Sequence, residues 1–420
     1  MAEAESKDPV YSLLASATDA APAPGVVKRA LQAIRSHLGM DVAYVSEFVG
    51  DRSVFREVDA PGHEALIKAG DSFSLDDIYC RHILEGRMPQ LIPDTSVEPI
   101  AAALPITKAV PVGKHISVPI RLPDGRAYGM FCCLGFAPDQ SLRERDLKMM
   151  QAFADLAAFE INRDLATAKL AEDKKVRIRN VLEQDQISIA YQPIWKLEPR
   201  RIVGLECLSR FSATPQRSPD EWFAEAAEVG LGVALELTAI RLALSALSAF
   251  PADVYLTINA SPATILSREL PATLDGMPPE RLVLEVTEYA LVDDYDRLLT
   301  ALQPLRTRGV RLAVDDAGAG YSSLRHILHL QPDFIKLDMS LTRHIDLDPA
   351  RRALASALIG FARETNSRII AEGVETASEL AALRSLGVEK AQGYFLNRPM
   401  SLSSALTLFN PQAKQTSRVA

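Results

Sequence analysis

The chain has 420 residues, 48% hydrophobic and 24% charged, with a formal net charge of −8. This is ordinary for a globular protein, and ~100–200 residues per domain predicts two or three domains. The negative charge argues against holding a nucleic-acid polymer or an anionic membrane by general electrostatics, though not against a small anion held by metal ions in a local site.

Met1 to Tyr11 carries no basic segment followed by an apolar run, so no secretory signal is read there. No apolar stretch is expected to reach the ~18 residues of a membrane helix. Cys80, Cys132, Cys133 and Cys207 show no disulfide framework, which fits a reducing, cytoplasmic setting.

Residues 1–23 read as an N-terminal tail. Beyond them, Val26, Val27, Ala30, Leu31, Ile34 and Leu38 recur at helical spacing, and Asp41 to Val49 alternates as a strand. His115–Leu122 and Arg126–Gly135 are strand-like runs joined by Pro123-Asp124-Gly125, good turn chemistry. Residues 24–163 thus predict an antiparallel α+β domain. Cys132 and Cys133 adjoin on a strand and face opposite ways, so buried thiols are a better reading than a chelate.

Ser141 to about Gln184 is nearly free of Gly and Pro and predicts one long helix, apolar at Leu142, Leu147, Met150, Phe153, Leu156, Ala157, Ile161 and Leu165, then highly charged from Lys169 to Arg179. It reads equally as a connector on its own domain or as a helix pairing with its copy in a dimer. Residues 164–184 are taken as a helical linker.

After Gln184 the pattern becomes strand, helix, strand, helix. The apolar runs are Ile187–Ile194, Ile202–Leu208, Val254–Ile258, Leu282–Val286, Arg311–Val314, Phe334–Leu337, Arg368–Ala371 and Ala391–Leu396. About eight strands separated by helices suit a closed α/β barrel of the TIM type over residues 185–410. The first two runs lie too close for a crossover helix, so they pair antiparallel or one is irregular.

Polar residues fall repeatedly at the ends of these strands: Glu206, Asn259, Glu285, the pair Asp315-Asp316, Lys336 and Glu372, with Gln392 in the last run. In such a barrel the C-terminal strand ends converge on one mouth. A lone acid there is usually a helix cap, as Asp293 is expected to be, and a lone lysine usually snorkels. A recurring set is different. So many carboxylates repel unless cations neutralise them, and oxygen ligands without His or Cys favour Mg²⁺ or Mn²⁺. Asp315-Asp316 could let one carboxylate bridge two ions, the arrangement that suits attack of water on a phosphodiester.

Tyr191-Gln192-Pro193-Ile194, Glu206-Cys207-Leu208-Ser209-Arg210, Asn259, Glu285-Val286-Thr287-Glu288, Asp315-Asp316-Ala317-Gly318-Ala319-Gly320, Asp333 to Asp338, Glu372-Gly373-Val374-Glu375 and Gln392-Gly393-Tyr394 stand in the order of EAL-domain cyclic di-GMP phosphodiesterases, which the chain resembles over about half its length. The resemblance implies hydrolysis of cyclic di-GMP to linear pGpG with two ions, Mg²⁺ or Mn²⁺. It implies Glu206, Asn259, Glu285 and Asp315 on the first metal, and Asp315, Asp316 and Glu372 on the second. Lys336, with Asp316 and Glu372, would be catalytic. Gln192, Leu208, Arg210 and Gln392 would contact substrate, and Glu288 would brace the loop after Asp316.

Two residues depart from the family pattern. Cys207 stands where Ala is usual and should point away from the metals. Ala317 stands where Phe is usual, in a loop that the family uses for metal occupancy and dimer coupling. Leu75 to Arg81, Val118-Pro119 and the Asp124-to-Cys133 hairpin resemble a GAF sensor domain. This implies control by an unknown small-molecule or protein signal, in a homodimer. The alternative function is a catalytically silent cyclic di-GMP receptor or an interaction scaffold.

Overall fold

The computed structural model describes residues 25–286, 294–318 and 321–410. Internal contacts divide the chain after Leu170 into two units.

The first unit is built on an antiparallel sheet of β1 (Val42–Val49), β2 (Arg52–Asp59), β3 (Ser72–Ser74), β4 (Leu91–Ile92), β5 (Lys114–Arg121) and β6 (Ala127–Gly135). The strand order is β3-β2-β1-β6-β5-β4. Alternation along the strands sorts the apolar side chains onto two faces. Ala43, Val45, Ile116, Val118, Phe131 and Cys133 pack with the helix Val26–His37 and with Met150, Phe153 and Ala157 of the long helix Glu144–Glu183. Val42, Tyr44, Met130 and Cys132 face Ile78, Tyr79, Ile83 and Ala101 on the other side. Cys132 and Cys133 therefore sit in opposite cores. The β5–β6 turn has Gly125 at a φ of 84°, and the Asp124 carboxylate accepts from the Arg126 amide at 2.9 Å.

The second unit is a closed barrel of β7 (Ile187–Lys196), β8 (Arg201–Phe211), β9 (Tyr255–Asn259), β10 (Leu282–Val286), β11 (Arg311–Ala317), β12 (Phe334–Leu337), β13 (Arg368–Ala371) and β14 (Lys390–Ala391). β7 runs antiparallel to both β8 and β14, as the short first connection requires, and the other neighbours are parallel. Leu205, Leu256, Ile258, Leu284, Leu312 and Ile335 point outward to meet Leu237, Ile240, Leu298, Leu302, Leu358 and Ile359 of the surrounding helices. Ile194, Val203, Tyr255, Val283, Ala313, Phe334 and Ile370 fill the interior, so the barrel is a packed core and not a pore. The last turns of the long helix belong to this unit: Ile178 and Val181 are buried with Trp222, Ala226 and Leu235.

Three local expectations change. The segment Gly232–Ala249 is apolar enough over 18 residues to cross a membrane by length and composition alone, which the sequence reading had excluded. It folds as a helix to Ser245 and a separate turn, Leu247–Ala249, and its Leu235, Leu237, Ile240, Ala243 and Leu244 are buried within the protein. The expected strand Ala391–Leu396 shrinks to Lys390–Ala391, because the chain bends at Gly393, whose φ is 154°. The helix Tyr295–Arg308 is capped by Asp294, which accepts from the Arg297 amide at 3.0 Å. Asp293, the expected cap, lies outside the described residues.

Candidate functional site

Strand register brings the polar residues together. Glu206 is paired with Thr257 and Glu285 with Asn259 and Ala313, so the C-terminal ends of β8 to β13 deliver their side chains to one mouth. Lys336 is at the centre and fully buried. Its Nζ lies 2.9 Å from Glu206 Oε1, 3.1 Å from Glu285 Oε2, 3.0 Å from Asp315 Oδ2 and 2.9 Å from Glu372 Oε1. Gln392 Nε2 donates to Glu206 Oε2 at 2.6 Å and to Glu372 Oε1 at 2.7 Å, holding the two acids from the residue just after the last strand.

Burial and like charge shape the titration of this cluster. Burial pushes the Glu285 carboxyl up to about 8, with Lys336 opposing and the Glu206 and Asp315 charges adding to the rise. Burial likewise raises Glu372 well above the carboxylate range, reinforced by Asp315 and opposed by Lys336. Burial alone would lower the Lys336 ammonium, but Asp315, Glu206, Glu285 and Glu372 together outweigh it and hold the group well above an ordinary lysine.

The acids form two sets with closely approaching oxygens, Glu206–Glu285–Asp315 and Asp315–Asp316–Glu372, which share Asp315. The sharing depends on backbone shape. Asp316 adopts a φ of 55°, a left-handed conformation that Asp tolerates better than most residues, and its amide donates to Asp315 Oδ1 at 2.9 Å. Consecutive carboxylates can thereby face the same mouth. Two buried atoms here have no hydrogen-bond partner among the described residues, Glu285 Oε1 and Gln392 Oε1. Both are acceptors. Hard oxygen donors, crowded negative charge and orphaned acceptors fit divalent cations such as Mg²⁺ or Mn²⁺.

The other expected residues lie around this core. Asn259 is at the end of β9, its side chain exposed at the mouth beside Glu285. Gln192 is paired with Glu206 across β7–β8 and donates to the Asn397 carbonyl at 3.1 Å. Leu208 and Arg210 continue the Glu206 face of β8 outward, Leu208 half-buried and Arg210 exposed. Glu288 lies outside the described residues. Cys207 points away from the carboxylates into the outer core, where burial raises its thiol well above the usual range. Ala317 is buried at the end of β11.

Residue-by-residue reading of the strands passed over two positions. Asn397 accepts from Trp195 Nε1 at 2.9 Å through its side chain and from Gln192 through its carbonyl. Thr342 Oγ1 donates to the Glu372 carbonyl. Thr342 does not follow an apolar strand and carried no such signal, whereas Asn397 directly follows the apolar run Ala391–Leu396 and was open to the same reading. Asp338 does follow one, yet it caps the short helix Met339–Thr342, accepting from the Ser340 amide at 2.8 Å.

Residues 175–399 match the EAL domain family model, and residues 24–161 match the GAF domain model. An uncharacterized signaling protein of Caulobacter vibrioides is 31% identical over 309 residues, 68% of this chain and 38% of that protein. Cyclic di-GMP phosphodiesterase NbdA of Pseudomonas aeruginosa is 32% identical over 251 residues, 57% of this chain and 32% of its own length. The chain thus spans about a third of the length of these relatives. The solved PaMucR phosphodiesterase in its c-di-GMP complex superposes with a TM-score of 0.50 at 29% identity, covering 56% of this chain and 99% of that one.

Proposed function

The chain belongs to the EAL family, and on that premise we propose that its barrel hydrolyses cyclic di-GMP to linear pGpG. The observation that carries this reading is the pair of carboxylate sets sharing Asp315, gathered around the buried ammonium of Lys336. Glu206, Asn259, Glu285 and Asp315 would hold one divalent ion, and Asp315, Asp316 and Glu372 the other. Bound there, Mg²⁺ or Mn²⁺ supplies Lewis-acid neutralisation of the phosphodiester and of the attacking oxygen.

The chain's own residues do the rest. Lys336, within 3.1 Å of four carboxylate oxygens, is positioned to orient the attacking water and to offset charge as it develops. Gln392 fixes Glu206 and Glu372 at their ligating ends. Arg210, free of any carboxylate among the described residues and exposed past the cluster, would meet a phosphate, with Leu208 and Gln192 lining the approach. The GAF domain would set the rate in response to a bound signal, within a homodimer.

Incubating the full chain with cyclic di-GMP and Mg²⁺ or Mn²⁺ tests the reading. Linear pGpG should appear, and Glu206→Gln should abolish it. Tight binding without product under either ion would sink the enzymatic reading and leave a receptor.

A further inference from the structure

The opposite end of the barrel gathers positive charge. Tyr255 and Phe334 stack inside it, ring centres 5.8 Å apart at 18°. The Arg311 guanidinium lies 4.5 Å from the Tyr255 ring centre, and Lys390 Nζ lies 4.1 Å from that of Phe334. Register brings further cations to the same rim: Arg368 is the β13 partner of Phe334, and Lys196 stands directly opposite Lys390 across β7–β14. Like charges facing each other across a strand pair are destabilising.

No carboxylate among the described residues pairs with Lys390, Arg311 or Arg368. Glu389 and Asp333 act on Lys390 and Arg311 only at a distance. Lys390 is 6% exposed and Tyr255 5%. Tyr255 Oη and Arg311 Nε are both buried without a partner, while Arg311 Nη2 donates to the Glu280 carbonyl at 2.8 Å. Among the described residues this rim therefore holds more hydrogen-bond donors than acceptors, with no carboxylate beside them. The aromatic faces offset part of the charge but accept none of the N–H groups at Lys390 or Arg311 Nε in the plane where an oxygen would. Burial, followed by the neighbouring Arg368 and Arg311 charges, pulls the Lys390 ammonium down to about 7, as expected of a cation waiting for a counter-ion.

We propose that the N-terminal mouth of the barrel is a second binding site, which takes a small oxyanion of the phosphate type between Lys390, Arg311 and Arg368. It is separate from the carboxylate mouth, and its donors complement an anion as that mouth complements cations.

Titration calorimetry of the full chain with inorganic phosphate, near neutral pH in chloride buffer with EDTA, tests this without engaging the divalent ions of the other mouth. Saturable binding is expected, weakened about tenfold or more in Lys390→Met. Arg368→Gln, at an exposed position, provides a second reading should Lys390→Met fail to fold, and it should weaken binding in the same direction. No saturable heat, or unchanged affinity in the folded variants, overturns the proposal.

Discussion

Lys336 is the cation around which Glu206, Glu285, Asp315 and Glu372 gather, so its removal should be felt twice. Lys336→Met leaves Glu206, Glu285, Asp315 and Glu372 crowded without a cation, and breaking such a buried set costs about 3–5 kcal/mol. Urea unfolding in EDTA should show that loss, and Mn²⁺ should recover most of it because the ions restore the missing charge. Turnover should fall by ~10²–10³, with KM little changed, if the ammonium acts on the transition state. A raised KM at unchanged kcat would assign Lys336 to ground-state binding instead.

His115 is a second buried residue with a consequence. It is 1% exposed, both ring nitrogens lack a partner among the described residues, and it meets Tyr79 edge-on at 4.6 Å. Burial pushes its pKa down to about 3, whereas an unfolded chain titrates near ~6.5. The unfolded state binds the proton more readily, so the stability tied to neutral His115 is full above about 6.5 and is lost as pH falls toward 3. The first unit should melt at lower temperature as pH drops through this window, and His115→Phe should flatten the dependence.

Among the elements, the junction after β14 is the most constrained. Gly393 has a φ of 154°, and a Cβ there would lie 2.2 Å from both the backbone N and O of Val374. Gly393→Ala must displace the Glu372–Val374 segment or tilt Gln392, and either disturbs the grip of Gln392 on Glu206 and Glu372. Activity should fall by at least ~10-fold, while thermal stability drops modestly; activity equal to the parent's would show that the segment moves aside freely.

This junction also marks where reading the sequence reaches its limit. β10, β12 and β13 are legible to the residue because compact apolar runs such as Phe334–Leu337 and Arg368–Ala371 stop at an acid, Asp338 and Glu372, and because parallel strands bury both faces. The run Ala391–Leu396 is equally apolar, but its Gly393 and exposed Tyr394 and Phe395 belong to a bend whose reason is the close approach of Val374, which lies far away in sequence. Asp294, one residue from the expected cap, reflects ordinary uncertainty at a helix end. The carboxylates and Lys336 are legible for the opposite reason: each depends only on its own strand and on the rule that parallel strands end together. Asn397 also follows an apolar run, but the strand there ends at Ala391, so its place depends on the path of the loop beyond.

For the whole molecule, the last turns of the long helix decide where the barrel can be cut. Ile178 and Val181 are 0% and 1% exposed and share a cluster with Trp222, Ala226 and Leu235. Arg177 Nε pairs with Glu225 at 2.8 Å beside them. A fragment beginning at Ala171 keeps these contacts, whereas one beginning at Asp185 uncovers Trp222. Burying one such aliphatic side chain is worth ~1.5–3 kcal/mol, so the shorter fragment should be less stable by roughly twice that figure for one side chain. Urea unfolding of the two fragments measures the difference, and equal midpoints would show that the cluster closes without the helix. The comparison comes before any test of control by the GAF domain. An inactive fragment from Asp185 would report a damaged barrel, whereas the ratio of rates between the full chain and the Ala171 fragment isolates what the first unit does. A faster fragment means that the first unit restrains the barrel at rest, and a slower one that it activates it. Equal rates, with and without added small molecules, would remove the first unit from the control of hydrolysis.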